Sequence, residues 1–292
     1  MELIITKKII PSTDPRLGRH INFDSRSVGF TFDATGITIK DAFHQRLIDI
    51  LNQLQLGSCT GNGGIGNINT SPFSLNTKVY TPDEAGAVNL YSDAEKIDGG
   101  AGYPPEDAGS SGLSIAKALL NAGLISNYYH CFTLEQTLAA LTQFPILFGS
   151  NWYADMFNPD PDGRVHITGN LAGGHEYLGR QSNIENGQIW WDNSWGEDWG
   201  VAGRFYLTFE DFATLLSQNG DAIVLIPPLL KLGSKGQAVK NLQTNLNKKG
   251  YNLLVDGIFG PVTKKFVCDF QNKNGLVVDG IVGRQTLVAL NN

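Results

Sequence analysis

The seven residues from Gln53 to Cys59 read Q-L-Q-L-G-S-C and place a thiol directly after a small turn. The turn contains Gly57, and the amide side chain of Gln53 stands six residues before the thiol. Attack on a carbonyl moves negative charge onto its oxygen, and a preset donor beside the nucleophile stabilises that charge. We therefore interpret Cys59 as a candidate nucleophile and Gln53 as its candidate oxyanion donor.

Two later stretches supply partners for this thiol. His175 follows a Gly-Gly pair, and Asn193 lies eighteen residues later in the segment W-D-N-S-W-G-E-D-W-G. An imidazole that acts as a base must be oriented, and the amide oxygen of Asn193 can accept a hydrogen bond from one of its ring nitrogens. The indole of Trp195 can shield that hydrogen bond from water. His166 is a second candidate for the base.

The order of glutamine, cysteine, histidine and asparagine, together with the N-S-W-G…W-G block, resembles the papain-like cysteine peptidases over about residues 20 to 226. The resemblance implies a nucleophile at Cys59, a base at His175 and an orienting residue at Asn193. It also implies that Gln53 is the oxyanion donor and that Trp195 covers the His–Asn contact. The implied reaction is acyl transfer through a thiolate–imidazolium pair, in which the pKa of the thiol is depressed.

Three departures from that family are visible. Thr60 follows the nucleophile where the family usually has an aromatic residue. The 116 residues from Cys59 to His175 are fewer than the roughly 130 typical of papain relatives, which predicts shorter loops. No second cysteine lies just before Cys59, so the family's nearby disulfide is absent, as expected for folding in a reducing cytoplasm.

The resemblance also predicts a substrate cleft. Gly109, Ser110 and Ser111 lie where the family presents its backbone to substrate, and they can form an edge for strand addition. An ordinary surface turn is the alternative interpretation of these residues. Gly174, before the base, leaves that wall of the cleft without a side chain, and Trp195 completes the predicted cleft.

Apolar periodicity predicts helices early in the first domain and strands later, which indicates an α+β fold with a helical lobe and an antiparallel sheet lobe. The predicted helices are Lys40–Leu54, Pro82–Ile97, Leu113–Asn121, Leu134–Gln143 and Phe209–Leu216. The predicted strands are Ile146–Gly149, Glu176–Leu178, Gln188–Trp191, Arg204–Leu207 and Ala222–Ile226. The Gly-rich run after Cys59 fits either a tightly packed helix or an irregular turn, since each helical glycine costs about 1 kcal/mol.

Residues 229–292 form a predicted second domain, separated from residues 1–228 at Pro227-Pro228. Val255–Lys264 reads V-D-G-I-F-G-P-V-T-K and recurs as V-D-G-I-V-G-R-Q-T-L over Val278–Leu287. Each copy predicts an Asp-Gly turn that leads into a helix, and together they predict a three-helix unit. The repeat resembles the peptidoglycan-binding domain of wall hydrolases. The candidate wall-binding residues are Asp256, Gly257, Phe259, Thr263, Asp279 and Gly280.

Charge also divides the chain, whose net charge is −6. The tail from Lys231 onward has nine basic and three acidic residues, or +6, so the remainder carries −12. This asymmetry favours an anionic wall polymer as the partner of the tail, whereas nucleic acid is disfavoured because stacking aromatics do not accompany the lysines. We expect no metal or other cofactor and no membrane partner, and we expect a monomer.

The sequence thus predicts a wall-lytic cysteine endopeptidase that resembles a bacteriophage endolysin and acts on bacterial peptidoglycan. A general protease that docks on walls and cleaves proteins is the alternative. The N-terminus lacks the pattern of a secretory signal, which predicts synthesis in the cytoplasm and action on the wall after release. About twenty residues precede Asp24, too few for the family's long inhibitory pro-segment, so we expect control by compartment.

Overall fold

The computed structural model describes residues 5–73 and 79–291, which form two groups of elements. The helices are α1 (Cys59–Ile68), α2 (Glu84–Ile97), α3 (Gly112–Asn121), α4 (Leu134–Leu141), α5 (Phe209–Ser217), α6 (Gln237–Lys248), α7 (Pro261–Lys273) and α8 (Arg284–Asn291). The strands are β1 (Ile5–Lys8), β2 (Ile21–Asp24), β3 (Ala42–Phe43), β4 (Asn127–Cys131), β5 (Ile146–Tyr153), β6 (Leu171–Asn183), β7 (Gln188–Asp192), β8 (Arg204–Thr208) and β9 (Asp221–Ile226). Among the helices of these two ranges, none has the length and apolar character required to cross a membrane.

An antiparallel sheet forms the body of the first domain. Its strands run in the order β4-β9-β5-β6-β7-β8, and β3 pairs with β6 outside that path. The long strand β6 pairs with β5 and β7, so its residues are held on both sides. Helices α1, α2 and α3 pack together as a separate lobe against this sheet. The α+β architecture with a helical lobe and a sheet lobe is therefore confirmed.

The Gly-rich run after Cys59 is a packed helix. All ten residues of α1 are buried, and a Cβ added to Gly61 would lie 2.2 Å from the carbonyl oxygen of Ala87 in α2. A Cβ on Gly64 would lie 2.7 Å from side-chain carbons of both Leu90 and Ile115. The absence of side chains thus lets α1 approach its neighbours closely, which offsets the intrinsic cost of glycine in a helix.

The helix predicted over Lys40–Leu54 is wrong. Ala42 and Phe43 instead form β3, and the chain that follows has no regular helix. Phe43 and Leu47 are largely exposed, so the apolar spacing in this stretch does not mark one buried face. Backbone pairing to Gln181 and Ser182 of β6 replaces the hydrogen bonds of a helix.

The other predicted elements are present, with shifted ends. Helix α2 begins at Glu84, two residues after the predicted start, because the Asp83 side chain caps it by accepting from the Gly86 N–H. Helix α4 begins at the predicted Leu134, and Thr133 caps it by accepting from the Gln136 N–H. Strands β5 and β6 extend well beyond their predicted ranges, since side chains on both faces of these strands are buried.

Asp192 is the centre of a buried ionic cluster at the end of β7. Its side chain is fully buried and forms ion pairs with Arg46, Arg180 and Arg204 at 2.8 to 3.2 Å. Arg46 comes from the irregular chain before α1, whereas the other two arginines are on β6 and β8. The cluster therefore ties that irregular chain to the sheet beside Asn193.

The C-terminal group is the predicted three-helix unit, built from α6, α7 and α8 around a separate apolar core. The two repeats are held in the same way, by one glutamine each. Gln243 donates to Asp256 and accepts from the Gly257 N–H, while Gln271 does the same with Asp279 and Gly280. Both glycines have positive φ, which glycine adopts without strain.

Candidate active site

Cys59 is the first residue of α1, at the end of the helix where backbone N–H groups are free to face an anion. The thiol is completely buried. Burial raises the pKa of Cys59 to about 12, although hydrogen bonds from the backbone of Glu176, Gly18 and Thr60 act in the opposite direction. Burial therefore favours the protonated thiol, which is opposite in direction to the depressed pKa that the family resemblance implies.

His175 lies in the middle of β6, where its ring is fixed by three neighbours. Its Nε2 lies 2.7 Å from Oδ1 of Asn193. The Trp195 indole is stacked on the imidazole with ring centroids 4.9 Å apart, and Trp152 meets it edge-on at the same distance. The ring is completely buried, and burial lowers the pKa of His175 to about 4.

The second ring nitrogen of His175 is in a different state. Nδ1 is buried and has no hydrogen-bond partner among the described residues. Because Asn193 presents its carbonyl oxygen, Nε2 is the nitrogen that carries the proton, and the Nδ1 lone pair is free. A free lone pair on a neutral, fixed imidazole is what a general base requires.

Gln53 is linked to the same site through Ser194. Its Oε1 accepts a hydrogen bond of 2.6 Å from the Ser194 hydroxyl, and its backbone N–H donates to the Ser194 carbonyl. Its Nε2 donates to the carbonyl oxygens of Arg16 at 3.0 Å and Leu56 at 2.5 Å. The amide predicted as oxyanion donor thus already holds a carbonyl oxygen from an upstream segment of the chain.

Contacts connect three of the four predicted catalytic residues directly, and the residue after His175 lies near the fourth. The backbone of Glu176, next to His175, contacts the Cys59 thiol, and Asn193 and Ser194 connect His175 to Gln53. The reserve candidate His166 is not part of this group, because it is exposed and pairs with Asp160 at 2.9 Å. Cys131 and Cys268 are free like Cys59, and neither belongs to the site.

Solved structures were compared with this fold. Xylellain, a cysteine protease from Xylella fastidiosa, covers 74% of this chain and 98% of its own, with a TM-score of 0.58 and 17% sequence identity. Digestive procathepsin L 3 of Tenebrio molitor covers 67% of this chain and 72% of its own, with a TM-score of 0.50 and 15% identity. The first domain has the papain-like fold.

The C-terminal residues match a different family. Residues 235–290 match the family described as "Putative peptidoglycan binding domain". Over 60 residues the chain is 45% identical to the zinc D-Ala-D-Ala carboxypeptidase of Streptomyces albus G, a match that covers 20% of this chain. The chain spans 24% and 55% of the lengths of the two curated relatives that it matches. A papain-like domain is thus joined to a peptidoglycan-binding domain.

Two of the predicted cleft residues, Gly109 and Ser110, contact an upstream segment of the chain. The Ser110 N–H donates to the Gly18 carbonyl, and its own carbonyl accepts from the His20 N–H. Gly109 has a φ of +77°, and a Cβ on it would lie 2.5 Å from the Gly18 carbonyl oxygen. Ser110 thus pairs by its backbone with residues 18–20 of the same chain, and its use as an edge for substrate stays a prediction. Ser111 has a structural role, because its side chain caps the N-terminus of α3.

Gly174, another of the predicted cleft residues, contacts the same upstream segment. The carbonyl of Gly174 accepts from the Arg19 N–H at 3.0 Å, and a Cβ on Gly174 would lie 2.3 Å from the Arg19 carbonyl oxygen. We define residues 13–20 as the cleft segment. The short stretch before Asp24 predicted control by compartment, whereas in the structure this stretch pairs with Ser110 and Gly174.

The sequence patterns did not indicate the acidic pocket beside the thiol. Glu176 and the guanidinium of Arg19 are buried there, and Asp221, which pairs with Arg19, is half-buried. Burial raises the pKa of Glu176, and the neighbouring Asp221 raises it further. The one available signal was Glu176 itself, a carboxylate in an otherwise apolar strand directly after the candidate base.

In the peptidoglycan-binding domain, the repeat residues have structural roles. Phe259 and Thr263 are buried, which leaves them no surface for a ligand, contrary to the wall contact predicted from the sequence. Asp256 and Asp279 cap their turns by accepting from the N–H groups two residues later, and Gly257 and Gly280 form those turns. The repeat thus builds the domain, and Gln243 and Gln271 complete it.

Proposed function

We propose that this protein is a cysteine endopeptidase that cleaves peptide bonds of bacterial peptidoglycan and is held on the wall by its C-terminal domain. The observation that carries the proposal is the His175 ring, which Asn193 fixes and Trp195 covers, directly before Glu176, whose backbone lies near the Cys59 thiol at a helix N-terminus. In the same chain, residues 235–290 match the peptidoglycan-binding family.

The first half of the reaction begins when the cleft is open. Nδ1 of His175 takes the thiol proton, and the sulfur of Cys59 forms a bond to the peptide carbonyl carbon. The carbonyl electrons move onto oxygen, where the Gln53 amide and the Cys59 backbone N–H stabilise the oxyanion. The imidazolium then gives its proton to the leaving amine as the C–N bond breaks, which leaves a thioester.

The second half regenerates the enzyme. Neutral His175 takes a proton from water, and the resulting hydroxide attacks the thioester carbonyl. The C–S bond breaks, the acyl group leaves as a carboxylic acid, and the proton held by His175 returns to the thiolate. Water is therefore the only co-substrate of the reaction.

The C-terminal domain supplies proximity rather than chemistry in this proposal. Tethering an enzyme to an immobile polymer raises its effective concentration there, so modest binding is sufficient. The charge of +6 on the tail from Lys231 onward favours anionic wall polymers. We also propose an endolysin-like use, in which the protein is made in the cytoplasm and reaches the wall after release.

One comparison tests the proposal. Wild type and Cys59→Ala are incubated with purified peptidoglycan and, in parallel, with casein, and new amino groups are measured. Cys131→Ala is the matched control, since Cys131 is a buried free thiol outside the site. Gly18→Ala is included as well, because its added Cβ would lie 2.0 Å from the Gly57 oxygen and displace the cleft segment.

The proposal predicts that Gly18→Ala cleaves peptidoglycan, also when it carries Cys131→Ala, and that it does not cleave when it carries Cys59→Ala. Cleavage of casein alone would refute the wall substrate and would indicate a general protease. Cleavage that survives the loss of Cys59 would refute the mechanism.

A further inference from the structure

Helix α2 holds the loop that leads to α3 at three consecutive residues. The Gly109 N–H donates to the Tyr91 hydroxyl at 2.8 Å, and the Ala108 N–H donates to Oε1 of Glu95 at the same distance. The Tyr91 hydroxyl donates in turn to Oδ1 of Asp107 at 2.5 Å. Tyr91 and Glu95 stand four residues apart, so their side chains lie on the same face of the helix. That face of α2 therefore fixes the position of the loop.

The second oxygen of Asp107 reaches the turn that precedes the nucleophile. Its Oδ2 accepts from the Gly57 N–H at 2.9 Å, two residues before Cys59. Gly57 is buried, and a Cβ on it would lie 2.8 Å from Oδ1 of the same carboxylate. The chain's three cysteines all lie in its described part and are free, so no disulfide fixes this turn. One carboxylate with two donors thus joins the loop to the nucleophile turn.

Tyr91 is the central member of this connection and is completely buried. Burial raises the pKa of Tyr91, and its hydrogen bond to Asp107 raises it further, so the hydroxyl keeps its proton. That proton is donated to the carboxylate, and the hydroxyl oxygen accepts from the Gly109 N–H. A Cβ on Gly61 would lie 2.8 Å from Cβ of Tyr91, so α1 packs directly against this side chain. We call Gly57, Asp107, Tyr91 and Gly109 the carboxylate clamp.

The two ends of the carboxylate clamp border the same point of the cleft. A Cβ on Gly18 would lie 2.0 Å from the Gly57 carbonyl oxygen, and a Cβ on Gly109 would lie 2.5 Å from the Gly18 carbonyl oxygen. An extended backbone at this point therefore contacts both ends, beside the Cys59 thiol, to which the Gly18 backbone hydrogen-bonds. A misplacement of about 1 Å between reacting groups can cost about 100-fold in rate. The separation of the two ends therefore matters for catalysis by Cys59.

A hydrogen-bond network that only stabilises the fold is the alternative interpretation. Asp107 is exposed, so its carboxylate has access to water and does not need protein partners. It nevertheless bonds two buried groups, the Gly57 N–H and the Tyr91 hydroxyl. Loss of this exposed carboxylate should leave the fold intact, which allows positioning to be measured separately from stability.

We propose that Asp107 is a positioning residue for the peptidase reaction. By bonding Gly57 directly and Gly109 through Tyr91, it sets the separation between the nucleophile turn and the edge formed by Gly109 and Ser110. The inference rests on the proposed function only in taking the reaction to be that of a cysteine peptidase. The carboxylate clamp acts as one unit, so the loss of any of its hydrogen bonds loosens both ends.

The first test measures the two ends of the carboxylate clamp and needs no substrate. Amide hydrogen exchange of the Gly57 and Gly109 N–H groups is followed by NMR in the isotope-labelled full chain. The variants are Asp107→Ala, which removes both acceptor oxygens, and Tyr91→Phe, which removes the hydroxyl.

Matched controls break the same kind of bond elsewhere in the helical lobe. Tyr80 donates to Oδ2 of Asp93 at 2.9 Å, and this bond joins α2 to the chain before it. Asp93→Asn and Tyr80→Phe should therefore leave exchange at both glycines unchanged. Circular dichroism establishes that each variant is folded. Asp107→Asn, which keeps one acceptor oxygen, replaces Asp107→Ala if the latter fails to fold.

We expect exchange at both Gly57 and Gly109 to be faster by on the order of tenfold in Asp107→Ala and in Tyr91→Phe. The response of Gly57 to Tyr91→Phe is decisive, because the tyrosine hydroxyl reaches Gly57 only through the carboxylate. Faster exchange at Gly109 alone in that variant would overturn the carboxylate clamp as one unit. Wild-type exchange at Gly57 in Asp107→Ala would overturn the assignment of Asp107.

The second test measures catalysis. In the Gly18→Ala background, Asp107→Ala, Tyr91→Phe and the variant with both changes are compared for kcat and KM with soluble peptidoglycan fragments. Each single change should lower kcat/KM by about tenfold or more, and both changes together should lose no more than the larger single loss, because the same unit is removed. Tyr80→Phe should keep its kcat/KM. Additive losses, or an equal loss in Tyr80→Phe, would refute positioning by the carboxylate clamp.

The two tests separate this inference from the proposed function. If exchange changes as expected while Gly18→Ala cleaves neither peptidoglycan nor casein, the proposed function and the positioning role of Asp107 have both failed, whereas the carboxylate clamp remains as a structural link. If Gly18→Ala cleaves peptidoglycan and the addition of Asp107→Ala leaves cleavage unchanged, the proposed function stands and the positioning role of Asp107 is refuted.

Discussion

Nε2 of His175 lies 2.7 Å from Oδ1 of Asn193; both residues are buried, and the Trp195 indole stacks on the imidazole. Because the asparagine oxygen can only accept, this contact fixes the tautomer and leaves Nδ1 as the basic nitrogen. Asn193 also accepts from the Ser194 N–H at 2.8 Å, which holds its carboxamide in that orientation. The contact is a positioning device, and its removal should affect turnover more than binding.

Asn193→Ala should lower kcat by about 10- to 100-fold with little change in KM, because the base loses its orientation while the cleft keeps its shape. Asn193→Asp keeps an acceptor oxygen and should retain more activity than the alanine variant. The measurement is steady-state cleavage in the Gly18→Ala background. Loss of binding with unchanged kcat would contradict a positioning role.

Gln53→Ala should lower kcat/KM by about 10²- to 10³-fold, since one oxyanion donor is lost. Ser194→Ala is the matched control, because it removes the hydrogen bond to Oε1 of Gln53 and leaves the donating Nε2 in place. Ser194→Ala should lower kcat/KM far less than Gln53→Ala does. Equal losses in the two variants would show that the Gln53–Ser194 bond, and not the donor, matters.

Gly61→Ala should destabilise the protein by about 1–3 kcal/mol, because its Cβ would lie 2.2 Å from the Ala87 carbonyl oxygen and force α1 away from α2. Gly29→Ala is the control, since a Cβ there meets nothing within 4 Å. Urea unfolding at neutral pH gives both values. Similar stabilities of the two variants would disprove the close approach of the helices.

Asp192→Asn should destabilise by about 3–5 kcal/mol, because Arg46, Arg180 and Arg204 lose the carboxylate that they share. Asp93→Asn, which breaks a half-exposed pair with Lys96, should cost about 1 kcal/mol or less. Thermal unfolding of both variants separates the two cases. A small effect of Asp192→Asn would mean that the arginines find other acceptors.

The free energy of unfolding should decrease as the pH is lowered, because the buried His130 side chain resists protonation in the folded protein. Burial lowers the pKa of His130 to about 4, so between pH 6.5 and 4 the unfolded chain binds a proton that the folded protein does not. The free energy of unfolding therefore rises with pH in this window, and this residue contributes about 3 kcal/mol between pH 4 and 7.

His130→Phe isolates that contribution. The phenyl ring does not titrate and can keep the contacts with Tyr128 and Phe132, whose rings lie 6.0 Å from the imidazole. Urea unfolding from pH 4 to 7 should give a shallower decline for His130→Phe than for wild type. Parallel curves would show that His130 does not carry the pH dependence.

Sequence patterns predicted the secondary structure correctly wherever neighbouring residues determine it. The alternation of turn and helix signals predicted the three C-terminal helices, and apolar periodicity predicted α4 from its first residue, Leu134. Patterns failed where distant partners decided the outcome. The apolar spacing over Lys40–Leu54 suggested a helix. Instead, strand pairing with β6 and the ion pair between Arg46 and Asp192 hold this stretch in an extended, irregular conformation.

The sequence alone determined which side chains can do chemistry, because a thiol, an imidazole and two carboxamides in that order leave few alternatives. It also determined the repeated turns of the last domain, since an Asp-Gly pair favours a tight turn through the Asp side chain and the positive φ of Gly. Only the tertiary structure decided that residues 13–20 lie in the cleft and that Arg19 meets Glu176 and Asp221. Those contacts join residues some 90 to 200 positions apart through backbone pairing and charge, which no local pattern records.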